Sequence, residues 1–252
     1  MNSSSPADPR PPSERHDRRA KWEAFWQGPP AEAEATHLLS VEAALELLQQ
    51  EHPLDRRRRV LDLGCGGGRV MELLQVVGFD VVGLDLSGGA LDTARRYLGP
   101  AARLIQADAF QLGVASGSFD AVLSLGYASV GSFPGVQVEL ARVLRPGGVA
   151  LVDYRRIGLY HLPLLPARGA RLFRAWQRGE VSLPMLGLRS GSDWAEAGFE
   201  LEVIRLFNTY PPLGRRLAAD QALAFERRFG RPFAPLLART AIARFRRQPI
   251  GA

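Results

Sequence analysis

The stretch from Val60 to Arg69, with the sequence VLDLGCGGGR, restricts the fold of this chain more than any other stretch. It begins with a short apolar run interrupted only by Asp62, which is typical of a buried parallel strand. The glycines at 66–68 end the strand, and apolar residues then recur at spacings of three and four, which predicts a helix. A glycine turn between a strand and a helix lets backbone N–H groups approach a ligand without hindrance from Cβ atoms. The helix N-terminus behind the turn favours negative charge.

Strand–helix units of this kind are predicted five times between residues 60 and 154. Further strands are expected at 80–85, 103–107 and 121–125, and within 144–153. Because crossovers between parallel strands are right-handed, the repeated units predict a parallel sheet with helices on both faces.

Three phrases in this block resemble the class I S-adenosylmethionine-dependent methyltransferases. The first is the acid-x-Gly-x-Gly-x-Gly pattern at Asp62, Gly64, Gly66 and Gly68. The other two are the pair Phe119-Asp120 at the start of the fourth strand and the Leu-Arg-Pro-Gly-Gly sequence at 144–148. A nicotinamide-binding G-x-G-x-x-G pattern is the rival interpretation, but it requires a small residue at position 69, where Arg69 stands. The chain also lacks a Tyr-x-x-x-Lys pair, since Lys21 is its only lysine.

The resemblance implies a three-layer α/β sandwich with a seven-stranded, mostly parallel sheet of order 3-2-1-4-5-7-6, in which strand 7 is antiparallel. We expect a disordered tail at 1–19 and one methyltransferase domain at 20–252. The parts predicted within this domain are N-terminal helices at 20–55, a cofactor-binding core at 56–156, a substrate lid inserted at 157–189, and the rest of the sheet at 190–252. The second helix is predicted at 40–50, with Ser40 as its cap. The resemblance also implies that an N-terminal helix closes over the cofactor, a role we assign to Trp26.

The implied cofactor is S-adenosyl-L-methionine. The positions implied to bind it are Asp62, Gly64, Cys65, Gly66, Gly68, Asp85, Leu86, Asp108, Ala109, Phe110 and Leu125. Asp85 lies 17 positions beyond Gly68, at the carboxyl end of the second strand, where open parallel sheets bind ligands. Its carboxylate can accept hydrogen bonds from both ribose hydroxyls, although it could instead cap the next helix, a role that Ser87 can fill. Asp108 is implied to accept the adenine amino proton, and the alternative is an ordinary turn residue.

Methyl transfer from a sulfonium is an in-line displacement that needs alignment and exclusion of water more than a dedicated acid or base. The candidates for a catalytic or pocket role are Tyr127 and His161. Asn/Asp-Pro-Pro-aromatic boxes of adenine- and cytosine-amino methyltransferases are missing after the fourth strand, where the chain has LGYAS at 125–129. We therefore expect transfer to an N, O or C nucleophile of a small molecule. The alternatives are an RNA or protein methyltransferase and a non-catalytic binding module with this fold.

The net charge of +6 is consistent with nucleic acid or an anionic surface as a partner, but acids are interspersed with the arginines, which favours the simpler explanation that a GC-rich genome encodes many arginines. We therefore expect no nucleic-acid partner. The four histidines are scattered and Cys65 is the only cysteine, so we expect no metal site and no disulfide. No apolar run approaches the roughly 18 residues of a membrane span, and the N-terminus lacks the apolar region of a secretory signal. We expect a cytoplasmic protein.

Overall fold

The apolar runs predicted to be strands are buried on both faces of one sheet, because helices cover each face. The computed structural model describes residues 12–27, 35–51, 58–125, 135–156, 181–182, 191–207, 221, 224–230, 238 and 240–249. The strands are β1 (Arg59–Leu63), β2 (Asp80–Asp85), β3 (Leu104–Gln106), β4 (Phe119–Ser124), β5 (Leu144–Arg156), β6 (Val181–Ser182), β7 (Phe199–Phe207) and β8 (Thr240–Arg247).

The sheet order is β3-β2-β1-β4-β5-β8-β7, and β6 forms a short additional pairing with β5. The pairs from β3 to β5 are all parallel, whereas β8 runs antiparallel to both β5 and β7. Apart from the two-residue strand β6, this is the predicted order, with the last strand of the chain inserted antiparallel beside β5. The predicted fold class is confirmed.

Two layers of helices cover the sheet. The helices are α1 (Pro12–Gln27), α2 (Ala35–Glu51), α3 (Arg69–Val77), α4 (Gly88–Leu98), α5 (Val136–Val143) and α6 (Gly191–Glu196), with a π-helical turn at Glu226–Gly230. Buried side chains of α2, α3 and α4 share one hydrophobic cluster with alternate residues of the strands. Side chains of α5 and α6 share a second cluster with the strand residues that face the other way. Because β1, β2 and β4 run parallel, their carboxyl ends meet at one edge of the sheet.

Two N-terminal predictions need correction. Helix α1 begins at Pro12, so residues 12–19, which we expected to be disordered, are helical. Helix α2 begins at Ala35, and Ser40 lies inside it rather than at its cap. Ser40 is 1% exposed, and its hydroxyl donates a hydrogen bond to Asp153 Oδ2 at 3.4 Å. Leu39, which precedes Ser40 in α2, is buried in the hydrophobic cluster between α2 and the sheet. This burial favours a helix that starts before the position where the local capping signal would begin it.

The predicted lid at 157–189 lies outside the described residues except for β6. Among the helices in the described ranges, none is long and apolar enough to span a membrane.

Candidate functional site

The glycine turn after β1 depends on backbone conformations that side chains disfavour. Gly64, Gly66 and Gly68 have φ values of 80°, 51° and 87°. These values lie in the left-handed region, which glycine adopts without a steric penalty. The N–H groups of Gly64 and Cys65 both donate to the carbonyl oxygen of Leu84, at 2.7 and 3.0 Å. The turn is therefore fixed to the last residues of β2.

Asp85, the last residue of β2, connects the glycine turn to the start of α4. Its Oδ2 accepts the N–H of Gly66 at 3.0 Å, and its Oδ1 accepts the N–H of Ser87 at 2.9 Å. Burial raises the pKa of Asp85, and the N–H groups of Ser87, Gly66 and Leu86 oppose that rise. Each carboxylate oxygen keeps acceptor capacity for a further donor, such as a sugar hydroxyl. The alternative role of helix cap belongs to Ser87, whose Oγ accepts the N–H of Ala90 at 3.2 Å.

Asp62 is a buried acid inside β1. It is 1% exposed, and its Oδ2 has no hydrogen-bond partner among the described residues. Burial, and secondly the charge of Asp85, raise the pKa of Asp62 to about 7. A buried acid with an unsatisfied oxygen is costly, and a ligand that brings a donor or a positive charge would lower that cost. Burial also raises the pKa of the Cys65 thiol, which keeps this cysteine in its neutral form.

The residues after β2 and β3 form the next part of the same edge. Leu86 is half-buried, and its carbonyl oxygen accepts the side-chain amide of Gln106 at 3.2 Å. Asp108 forms a turn in which its Oδ1 accepts the N–H of Phe110 at 3.2 Å. This is the turn role that was the alternative for Asp108. Ala109 and Phe110 are 6% and 4% exposed, so the Phe110 ring packs in the hydrophobic core.

Leu125 directly follows β4 and is 7% exposed, at the same edge of the sheet as the glycine turn. The structure thus brings the predicted residues of β1, β2, β3 and β4 to one edge. Tyr127 and His161, the catalytic candidates, lie outside the described residues.

The sequence did not predict the role of Glu23, in helix α1. Its carboxylate accepts the hydroxyl of Ser87 at 2.9 Å and the N–H groups of Gly88 and Gly89 at 2.8 and 3.1 Å. The hydrogen bonds from Gly89 and Gly88 lower the pKa of Glu23. Beside it, the indole of Trp26 lies against the glycine turn. No local signal marked Glu23, because its partners lie more than 60 positions away along the chain.

This arrangement of sheet, turn and acids matches known proteins. The family model for a methyltransferase domain matches residues 60–148, which contain the glycine turn, Asp85 and Asp108. Over these residues the chain is similar to the class I S-adenosylmethionine-dependent methyltransferases. The matched segment runs from β1 into the first residues of β5.

Two curated relatives show how far the likeness extends. The malonyl-[acyl-carrier protein] O-methyltransferase of Enterobacter lignolyticus is 37% identical over 53% of this chain and 52% of its own length. The demethylmenaquinone methyltransferase of Renibacterium salmoninarum is 40% identical over 38% of this chain and 40% of its own. The chain therefore spans about half, or less, of the length of these two relatives.

A solved structure extends the fold beyond the matched segment. The [4+2]-cyclase SpnF superposes with a TM-score of 0.56 over 93% of this chain and 94% of its own, at 16% identity. At this identity the likeness shows the fold alone. That protein is named for a cyclisation and not for methyl transfer, so the methyltransferase fold by itself does not determine the chemistry.

Proposed function

We propose that this methyltransferase transfers a methyl group from S-adenosyl-L-methionine to an N, O or C nucleophile of a small molecule. The observation that carries the proposal is the pairing of Asp85 with the glycine turn beside the buried, unsatisfied oxygen of Asp62. These groups suit a ligand that has sugar hydroxyls at one end and a positive charge at the other. When bound, the cofactor supplies a methyl group on a positively charged sulfur.

Different residues at this edge would bind different parts of the cofactor. Asp85 would accept the ribose hydroxyls, and Leu86 with the Asp108 turn would hold the adenine. The backbone of Gly64 and Gly66 would border the amino-acid end, and the ionised form of Asp62 would compensate a positive charge there. Cys65, Gly68, Ala109, Phe110 and Leu125 complete the proposed cofactor site.

The electrostatics of the buried acids favour a cationic ligand. Burial raises the pKa of both Asp62 and Asp85, and repulsion from the charge of Asp85 adds to the rise at Asp62. A bound cation would relieve this repulsion, so a cationic cofactor should bind with release of a proton at pH values below 7.

A small-molecule acceptor is supported by the acidic partners of three arginines in β7 and β8. Arg244 and Arg246 both pair with Glu202, the former at 2.9 Å, and Arg205 pairs with Glu46. Arginines with acidic partners in the same chain attract phosphates less than free ones do. The two curated relatives are named for different acceptors, so their names do not identify the acceptor of this chain.

Calorimetric titration with S-adenosylmethionine and S-adenosylhomocysteine, with NADH as control, tests the cofactor. We expect micromolar binding of the first two compounds and none of NADH. Asp85→Asn should weaken binding at least tenfold, whereas the matched variant Asp92→Asn, at an exposed acid on α4, should leave the affinity unchanged. Unaltered affinity in Asp85→Asn would contradict the proposed site.

Methyl transfer itself is tested by incubating the enzyme with labelled cofactor and separate panels of small molecules, RNA and protein. Label transfer to a small molecule supports the proposal. Transfer only to RNA, with binding that weakens steeply as salt rises, would establish the RNA alternative. Binding of cofactor without transfer to any panel would favour the binding module.

A further inference from the structure

Helix α1 is attached to the start of α4 by a single carboxylate. Glu23 accepts three hydrogen bonds of 2.8 to 3.1 Å, from the hydroxyl of Ser87 and from the N–H groups of Gly88 and Gly89. The first N–H groups of a helix lack partners within the helix, and the helix dipole favours a negative charge beside them. Glu23 supplies both the acceptors and the charge, so α1 is held in one place relative to α4.

The same attachment places Trp26 on the glycine turn. A Cβ atom built on Gly66 would lie 2.8 Å from Cζ2 of Trp26, and one built on Gly67 would lie 3.4 Å from the same ring. On the other side, a Cβ built on Gly89 would lie 3.2 Å from Oε2 of Glu23 and 3.5 Å from Cβ of Trp26. The indole therefore occupies the space above the turn that the glycines leave open.

Helix α1 borders the cofactor edge without filling it. With α1 in place, Asp85, Leu86 and Asp108 each remain partly exposed. The indole lies against Gly66, and the N–H of Gly66 donates to Asp85, so Trp26 stands beside the proposed ribose position. A ligand bound to Asp85 would have Trp26 as its neighbour on the outer side.

We propose that Glu23 is a positioning residue for the cofactor: it holds α1 against α4 so that Trp26 forms the outer wall of the ribose site. The inference rests on the proposed function. Opening of the Glu23 attachment would remove this wall, so Glu23 and Trp26 affect the rate of dissociation more than the rate of association.

The test measures dissociation of S-adenosylhomocysteine by stopped-flow displacement in Glu23→Gln, Trp26→Ala and the double variant. Glu23→Gln keeps the size of the side chain and removes its charge. We expect dissociation to be about tenfold faster in each single variant, which corresponds to the loss of about one net hydrogen bond. The double variant should be no faster than the faster single one, because both residues act through the same wall. The matched control is Asp17→Asn, at an exposed acid of α1, which should behave like the native chain.

Two results would overturn the inference. Unchanged dissociation in both single variants would show that α1 does not retain the ligand. Tighter binding in Trp26→Ala would show that the indole competes with the cofactor for its place.

A second measurement separates this inference from the proposed function. Hydrogen exchange of the ligand-free protein should show faster exchange at Gly88 and Gly89 in Glu23→Gln than in Asp17→Asn, whether or not any cofactor binds. Faster exchange with native dissociation rates would leave Glu23 a purely structural residue and contradict the inference. Failure of the native chain to bind the cofactor would overturn the proposed function and the inference together, even if the exchange result is as expected.

Discussion

The indole Nε1–H of Trp194 donates a hydrogen bond to the hydroxyl of Tyr154 at 2.9 Å, and both side chains are at most 2% exposed. The Trp194 ring also stacks on Phe245 at 4.0 Å and meets Phe199 edge-on at 4.9 Å. Helix α6 is thereby attached to β5, β7 and β8 by one side chain. This cluster joins the C-terminal strands to the cofactor half of the sheet.

Trp194→Ala should lower the free energy of unfolding by about 3–5 kcal/mol, because it removes a large buried aromatic group. Tyr154→Phe should cost about 1–3 kcal/mol, since the indole N–H loses its acceptor while packing is kept. Urea unfolding measures both values. Cofactor affinity of the folded variants should stay native, and a large loss of affinity in Tyr154→Phe would contradict a purely structural role.

The buried acid of β1 predicts a pH dependence of stability. In the folded chain the pKa of Asp62 is about 7, compared with an ordinary value of 3.8. Between these values the folded state keeps a proton that the unfolded state has lost, so stability falls as pH rises from about 4 to about 7 and is then constant. The full effect is on the order of 4 kcal/mol. Asp62→Asn should remove this slope in urea unfolding measured from pH 5 to pH 8, whereas Asp92→Asn should keep it.

A further prediction for stability concerns the loop that carries Asp108. Glu139 of α5 is 1% exposed and accepts the N–H of Leu112 at 2.9 Å together with two N–H groups of Arg142 at 2.7 and 2.8 Å. Arg142 in turn donates to the carbonyl of Val114 at 2.7 Å. Glu139→Ala should therefore cost about 2–4 kcal/mol, since it leaves a buried donor and a partly buried cation without their acceptor.

The same variant should increase hydrogen exchange at residues 110–114, because the loop loses its attachment to α5. Arg142→Ala is the comparison variant and should cost a similar amount of stability, since it removes the cation from a buried carboxylate, but it should leave exchange at Leu112 slow because that N–H keeps its acceptor. Equal stability of Glu139→Ala and the native chain would contradict this account.

The packing around β2 leaves no room for a side chain at Gly83. A Cβ atom at this position would lie 2.3 Å from Sδ of Met71 and 2.9 Å from Sγ of Cys65. Gly83→Ala should therefore destabilise the fold by about 1–3 kcal/mol, because neighbouring side chains must move in a closely packed core. Gly67→Ala is the control, since its nearest neighbours would lie at 3.4 Å, and it should change the urea midpoint little. A similar loss in both variants would indicate a backbone effect instead of a packing effect.

The sequence alone determined the parallel sheet, the glycine turn and the position of Asp85. The alternation of apolar runs with helical spacing predicted the parallel sheet and its layers, since each element follows from local periodicity. The glycines at 64, 66 and 68 specify left-handed backbone conformations at the turn. The position of Asp85 at the end of a strand followed from the rule that parallel strands end at one edge.

Only the tertiary structure decided which distant side chains meet. Glu23 bonds to Gly88 across 65 positions, and Ser40 bonds to Asp153 across 113. The residues that flank each of them in the sequence do not predict these partners. The boundary of α2 was also decided by burial against the sheet. Local periodicity specifies which face of an element is apolar, but the partner of a polar side chain on that face depends on how the elements pack. That packing arises from burying the apolar surfaces of the whole chain together.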